Sequence, residues 1–137
     1  MADPLFAYGT LQDQGILEAV LGRPVAPLAF SPASLPHHRV VTYPGRPYPA
    51  LIPDAGAHAS GTLISGLADD DYIALDAFEG NEYRSGTCTV CAATAKIVAR
   101  VYLPICIILP DAPGWSLTHW RLHHRDALLK EAQGALG

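Results

Sequence analysis

Leu75-Asp76-Ala77-Phe78-Glu79-Gly80-Asn81-Glu82-Tyr83-Arg84 decides how the rest of this chain is read. The preceding Asp69-Asp70-Asp71-Tyr72-Ile73-Ala74 predicts a helix start, with an Asp cap and more acid in the first turn. Gly80 predicts its stop. Helical spacing then puts Leu75 and Phe78 on a buried stripe, with Asp76 and Glu79 three apart on an adjoining face. Glu79 falls in the last turn, where the backbone dipole is negative and a carboxylate is disfavoured. Asp76 adds like-charge repulsion, and partial burial beside Phe78 adds desolvation. All three favour the protonated form, the environment of a general base. Arg84 pulls the other way, and the sequence leaves that balance open. Acidic residues near a helix end are ordinarily solvated surface, so the chemical reading depends on what surrounds this stretch.

The chain has 137 residues, half of them hydrophobic and 16% charged, with a net charge of −4. That length predicts one domain, residues 1–137, with its own core. The acidic balance argues against a nucleic-acid partner. No apolar run reaches the roughly 20 residues of a membrane span. Met1-Ala2-Asp3-Pro4 does not open a signal peptide, and three cysteines are too few for a disulfide framework. A cytoplasmic protein is the expectation.

Upstream, Leu5-Phe6-Ala7-Tyr8 reads as a strand entering a tight loop at Gly9-Thr10-Leu11. Ile16, Leu17, Val20 and Leu21 have helical spacing and stop at Gly22. Strand, glycine loop and helix N-terminus in that order form a pocket whose N–H groups can hold a carboxylate or carbonyl oxygen. Pro24, Pro27, Pro32, Pro36, Pro44, Pro47, Pro49 and Pro53 crowd residues 24–56 and predict edge strands and irregular loops. Residues 57–67 read as a strand broken by Gly61 and Gly66. Residues 87–91 and 96–103 read as a hairpin, turning near Ala93-Thr94-Ala95. Ser116 caps a last helix predicted to run to Gln133 and stop at Gly134. Leu117, Trp120, His124, Ala127 and Leu128 would face the core, and Arg121, Arg125 and Lys130 water. Strands with about three interspersed helices and no regular βαβ alternation predict an α+β fold.

Other constellations are weaker. Cys88 and Cys91 fall in a predicted strand, where positions three apart point to opposite faces and cannot share a metal. Cys106 lies in the apolar run Ile105-Cys106-Ile107-Ile108, which keeps a thiol neutral. His119 and His123, four apart on a predicted helix, have chelating geometry; His124, Asp126, His37 or His38 could complete a set.

Three pieces together resemble the γ-glutamylcyclotransferase superfamily, in its short AIG2-like branch, which includes γ-glutamylamine cyclotransferases. They are Tyr8-Gly9-Thr10-Leu11; Tyr48-Pro49-Ala50-Leu51 with Gly61-Thr62-Leu63; and the 75–84 stretch leading to Thr87-x-Thr89-Val90 and Val101-Tyr102. The resemblance spans residues 5–103. It implies a compact mixed, partly closed β-barrel and a cofactor-independent enzyme that releases 5-oxoproline from a small γ-glutamyl substrate. By position, Tyr8, Gly9, Thr10 and Leu11 would bind the γ-glutamyl α-carboxylate and amine, Tyr102 would wall the pocket, and Glu79 would be the base. Glu82 is the competing base. No metal, nucleic acid or membrane is implied, and the oligomeric state is not legible. A second reading stays open on the sequence: a non-catalytic small-molecule or metal-binding module on the same fold, with His119 and His123 as ligands.

Overall fold

The computed structural model describes residues 3–136, and the side chains of residues 3–133. The strands are β1 (Leu5–Ala7), β2 (Ala29–Thr42), β3 (Pro49–Ser65), β4 (Tyr83–Ala92) and β5 (Ala95–Pro104). The helices are α1 (Gln14–Leu21), α2 (Asp69–Glu79), α3 (Leu117–His123) and α4 (Arg125–Leu136). Single 3-10 turns cover Thr10–Gln12 and Gly80–Glu82. The fold is α+β, and its five strands close in the order β1-β3-β2-β4-β5. Every seam is antiparallel except the short parallel one between β1 and β5. Two seams are thin: Leu5↔Arg100 closes the ring and Ser34↔Cys91 joins β2 to β4.

Alternation along the strands sorts their side chains between two cores. Phe6, Tyr8, Leu35, Leu63, Val90 and Val101 belong to a cluster within the barrel. Leu5 and Ala7 turn the other way, onto Ile16, Leu17, Leu75 and Trp120 of the helices outside. A third cluster of Val41, Tyr43, Ala50 and Ile52 packs near the β2–β3 turn.

The Pro-rich segment departs from the expectation of short edge strands and loops. It builds the two longest strands, paired from Ala29↔Ser65 to Thr42↔Pro49. Pro32 and Pro36 have the same parity as Ser34, the residue that faces β4. Their missing N–H groups therefore fall on the edge turned away from β3, where Ser34↔Cys91 is the one paired position with β4. The register shifts between Pro36 and His38, and His37 there has φ 62°. Gly61 does not break β3. A Cβ at Gly61 would lie 2.5 Å from the Ala7 carbonyl oxygen, so it marks close approach to β1.

The C-terminal segment differs too. Ser116 caps α3 by accepting from the His119 amide, as expected, but the helix breaks at His124 (φ −132°) and α4 runs through Gly134 to Leu136. Trp120 is buried and Leu128 half-buried, whereas Ala127 is exposed. Arg121 is exposed as predicted and Arg125 only half-covered, but neither side chain is free in water. Both bind the buried Asp13 carboxylate, at 2.9 and 2.8 Å, and fasten α3 and α4 to the start of α1. Asp13 also caps α1 by accepting from the Ile16 amide. Burial alone would raise its pKa; the hydrogen bonds from Arg125, Arg121 and Ile16 outweigh that and hold it at about 2.

Candidate active site

A cavity of about 520 Å³ opens between β1, the loop after it, the end of α2, and α4. Tyr8, Gly9, Thr10, Leu11, Glu79, Glu82 and Tyr102 all line it, so the structure brings together every site residue predicted from sequence. Tyr48, Pro49, Asn81 and Tyr83 also line it, as do Leu128, Glu131 and Ala132 from α4.

Glu79 reaches the cavity as the last residue of α2, which ends at Gly80 (φ 64°, ψ −145°). The helix opens differently from the reading above. Ala68, not an Asp, is the N-cap, and Asp71 reaches back to accept from the Ala68 amide at 2.8 Å. Asp71 is held in turn by Arg23. Leu75 is fully buried and Phe78 packs against the same core, which fixes the face that presents Glu79.

The Glu79 carboxylate has no hydrogen bond or ion pair among the described residues, and dense protein surrounds it except where it meets the cavity. Burial, and secondly the charge of Asp76, push its pKa up to about 8. Arg84 is exposed and does not contribute to that shift. Glu82, the competitor, is already engaged: it accepts from the Tyr48 hydroxyl and pairs with Arg46 at 3.2 Å. Its backbone oxygen accepts from the Tyr43 hydroxyl and the Ile105 amide. Glu82 thus ties down the turn between β2 and β3, whereas the Glu79 carboxylate has no protein partner among the described residues.

A phenol network surrounds Glu79. Tyr8 donates its hydroxyl to the Tyr102 carbonyl at 2.5 Å, Tyr102 donates to Asp76 at 2.6 Å, and Tyr83 donates to the Pro49 carbonyl at 2.5 Å. Burial, with negative charge from Glu79 among the further causes, raises all three phenols well above their ordinary range. They are donors, not bases. The rings of Tyr43, Tyr48 and Tyr83 stand 5.5–6.1 Å apart beside the cavity.

Of the expected strand, glycine loop and helix N-terminus, the loop supplies the unpaired N–H groups. The first turn of α1 is occupied by the Asp13 cap and its arginines. Within the loop, the amides of Gly9, Thr10 and Leu11 have no protein acceptor among the described residues. Consecutive free amides of this kind cradle an anion. Gly9 is required there by contact, because a Cβ would lie 2.6 Å from Cγ of Pro49. Gly9→Ala should therefore move this loop or the Pro49 ring, lowering stability by about 1–2 kcal/mol in thermal denaturation.

The remaining motifs stand apart. Cys88 faces the barrel cluster with its thiol pushed up to about 11 by burial, and Cys91 has the opposite parity. Cys106 is exposed, because the apolar run around it lies in the loop after β5 and does not enclose the thiol. The His119 and His123 rings lie 4.4 Å apart on the exposed side of α3, and no group of three metal-ligating side chains forms among the described residues. No helix among them is long and apolar enough to cross a membrane.

Sequence reasoning passed over Tyr48 and Tyr83 as site residues, although both lie in the quoted motifs. It also missed the Asp76–Tyr102 contact and the contribution of α4. The last had no local signal, since only the packing of α4 across the cavity reveals it.

The barrel thus sets the unpaired Glu79 carboxylate and a run of free amides in a shared cavity, an arrangement of the kind that small-molecule sites use. The family model described as gamma-glutamyl cyclotransferase, AIG2-like, matches residues 5–122, and the chain belongs to that family. AIG2-like protein A of Arabidopsis thaliana is 30% identical over 129 residues, covering 92% of this chain and 76% of that one. AIG2-like protein D of the same plant is 31% identical, covering 92% and 84%. The fold is similar to a solution structure of an Arabidopsis thaliana protein (TM-score 0.69, 28% identity, 94% and 87% covered). It is also similar to a structure named gamma-glutamyl cyclotransferase (TM-score 0.64, 17% identity, 74% and 66% covered).

Proposed function

We propose that the chain is a γ-glutamyl cyclotransferase that releases 5-oxoproline and an amine from a small γ-glutamyl amide. The observation that carries this reading is the position of Glu79, a partnerless carboxylate of pKa about 8 sharing a cavity with the free amides of Gly9, Thr10 and Leu11. The amides take the substrate's α-carboxylate, and the cavity folds the γ-glutamyl chain so that its α-nitrogen meets its γ-carbonyl. Holding both ends in one cavity replaces the entropy of ring closure. Glu79 removes a proton from the α-ammonium, and the freed amine attacks the γ-carbon. The tetrahedral intermediate then collapses with cleavage of the γ-carbon–nitrogen bond: Glu79 returns its proton to the leaving nitrogen, and the second proton shed by the ring nitrogen goes to the departing amine, which leaves as an ammonium. The nucleophile belongs to the substrate, so no side-chain nucleophile and no cofactor enters the scheme. A base with pKa near that of the group it deprotonates suits both proton transfers.

Incubation of the purified protein with γ-glutamyl amides, following 5-oxoproline, tests this reading. Failure to release it from any γ-glutamyl amide would refute the proposal. The pH dependence carries a sign: Glu79 works as a base only when ionised, so kcat/KM should rise with pH through about 8. Asp76→Asn keeps the oxygen that accepts from Tyr102 but removes a charge that raises the Glu79 pKa. The midpoint of the pH profile should then move down by about 0.5–1 unit.

A further inference from the structure

We propose, building on the cyclotransferase reading, that Glu131 on α4 selects γ-glutamyl amides whose leaving amine carries a second, positive charge. Three observations lead there. First, the charged residues lining the cavity are Glu79, Glu82 and Glu131, and no Lys, Arg or His lines it. Second, Glu82 is neutralised by Arg46, whereas Glu131 has no ion-pair partner among the described residues. Third, the cavity has a direction. Thr10 and Leu11 are buried and Glu79 is half-covered, while Glu131 lines the cavity and is exposed, which puts it at the mouth.

A substrate anchored by its γ-glutamyl end at the loop amides and Glu79 extends its leaving group toward that mouth. An unanswered carboxylate there attracts an ammonium and repels a carboxylate. Helix α4 lies beyond residues 5–122, so this wall is outside what the family model describes. It is held in place by Arg125 on Asp13, which gives Glu131 a fixed scaffold. The bond changes are those given above; only the leaving amine is specified, as one bearing a remote ammonium.

Three γ-glutamyl amides of equal chain length test the proposal: those of 1,4-diaminobutane (cationic), butylamine (neutral) and 4-aminobutyrate (anionic). The expected order of kcat/KM is cationic, neutral, anionic, with about three- to tenfold between the extremes. Glu131→Gln should bring the cationic-to-anionic ratio toward one. Lys130→Gln, which changes charge one residue away outside the cavity lining, should leave the ratio as in wild type. Raising salt to about 0.5 M should shrink the preference in wild type but not in Glu131→Gln. Equal rates with all three amides, or a ratio that survives Glu131→Gln, would overturn this inference and leave the cyclotransferase reading standing. No 5-oxoproline from any of the three, with release from another γ-glutamyl amide, overturns this inference alone; no release from any γ-glutamyl amide overturns both.

Discussion

Glu79→Gln should abolish release of 5-oxoproline, with a loss of about 10³-fold or more in kcat, while the protein folds as wild type. One carboxylate performs both proton transfers in the proposed scheme, and removing such a group ordinarily costs 10²–10⁴-fold. Glutamine keeps the shape and polarity of the side chain but cannot accept the ammonium proton. Folding should not suffer, because Glu79 makes no hydrogen bond that glutamine would lose. Linkage gives the sign of the stability change. A carboxyl whose folded pKa is raised from 4.5 to about 8 favours the fold while protonated, and that advantage is lost as pH rises across this window. The variant should therefore melt no lower than wild type at pH 5 and higher at pH 8. Glu82→Gln supplies the contrast. It loosens the turn held by Tyr48 and Arg46, so it should lower affinity more than turnover. If instead Glu82→Gln abolishes kcat and Glu79→Gln does not, the assignment of the base is reversed.

Asp13→Ala should be the most destabilising single change at a polar side chain, by about 3–4 kcal/mol. The residue joins three functions in one carboxylate: it caps α1, pairs with Arg121, and pairs with Arg125. Loss of an N-cap costs about 1 kcal/mol. Breaking a buried ion pair costs about 3–5 kcal/mol, reduced here because Arg121 is half exposed to solvent. In a domain of this size that predicts a fall in Tm of about 10 °C, measured by calorimetry. The same carboxylate sets an acid limit. Its folded pKa is depressed from 3.8 to about 2, so its contribution is complete above pH 4 and disappears as pH falls toward 2. Since α4 is fastened by Arg125, the substitution also frees one wall of the cavity. Selectivity among leaving groups should fall with it.

The parts of the site that were legible in sequence are those where the chemistry is local. Helical spacing alone places Leu75 and Phe78 inward and Asp76 beside Glu79, so the smaller cause of the raised Glu79 pKa was readable within four residues, whereas the larger one, burial, comes from packing across the fold. The choice between Glu79 and Glu82 was not readable. It depends on Tyr48 and Arg46, which stand more than thirty positions away in the chain and meet Glu82 only because the β2–β3 turn packs against the residues that open β4. The amides of Gly9, Thr10 and Leu11 were expected to contribute together with the N-terminus of α1, but at that N-terminus Asp13 caps the helix and is engaged by arginines over a hundred residues later. The prolines of residues 24–56 misled for a related reason. Whether a proline tolerates a strand depends on which edge lacks a neighbour, and only the barrel's closure settles that.

Sequence by itself determined the secondary-structure type of most segments, the family, and the identity of a glutamate at a helix end next to a glycine. These follow from periodicity and short-range electrostatics, which act over one or two turns of chain. Tertiary structure decided which carboxylate is free, which amides are unsatisfied, and that a C-terminal helix walls the cavity with Glu131. Those depend on which distant groups neutralise one another, and burial and pairing across the fold have no counterpart in local spacing.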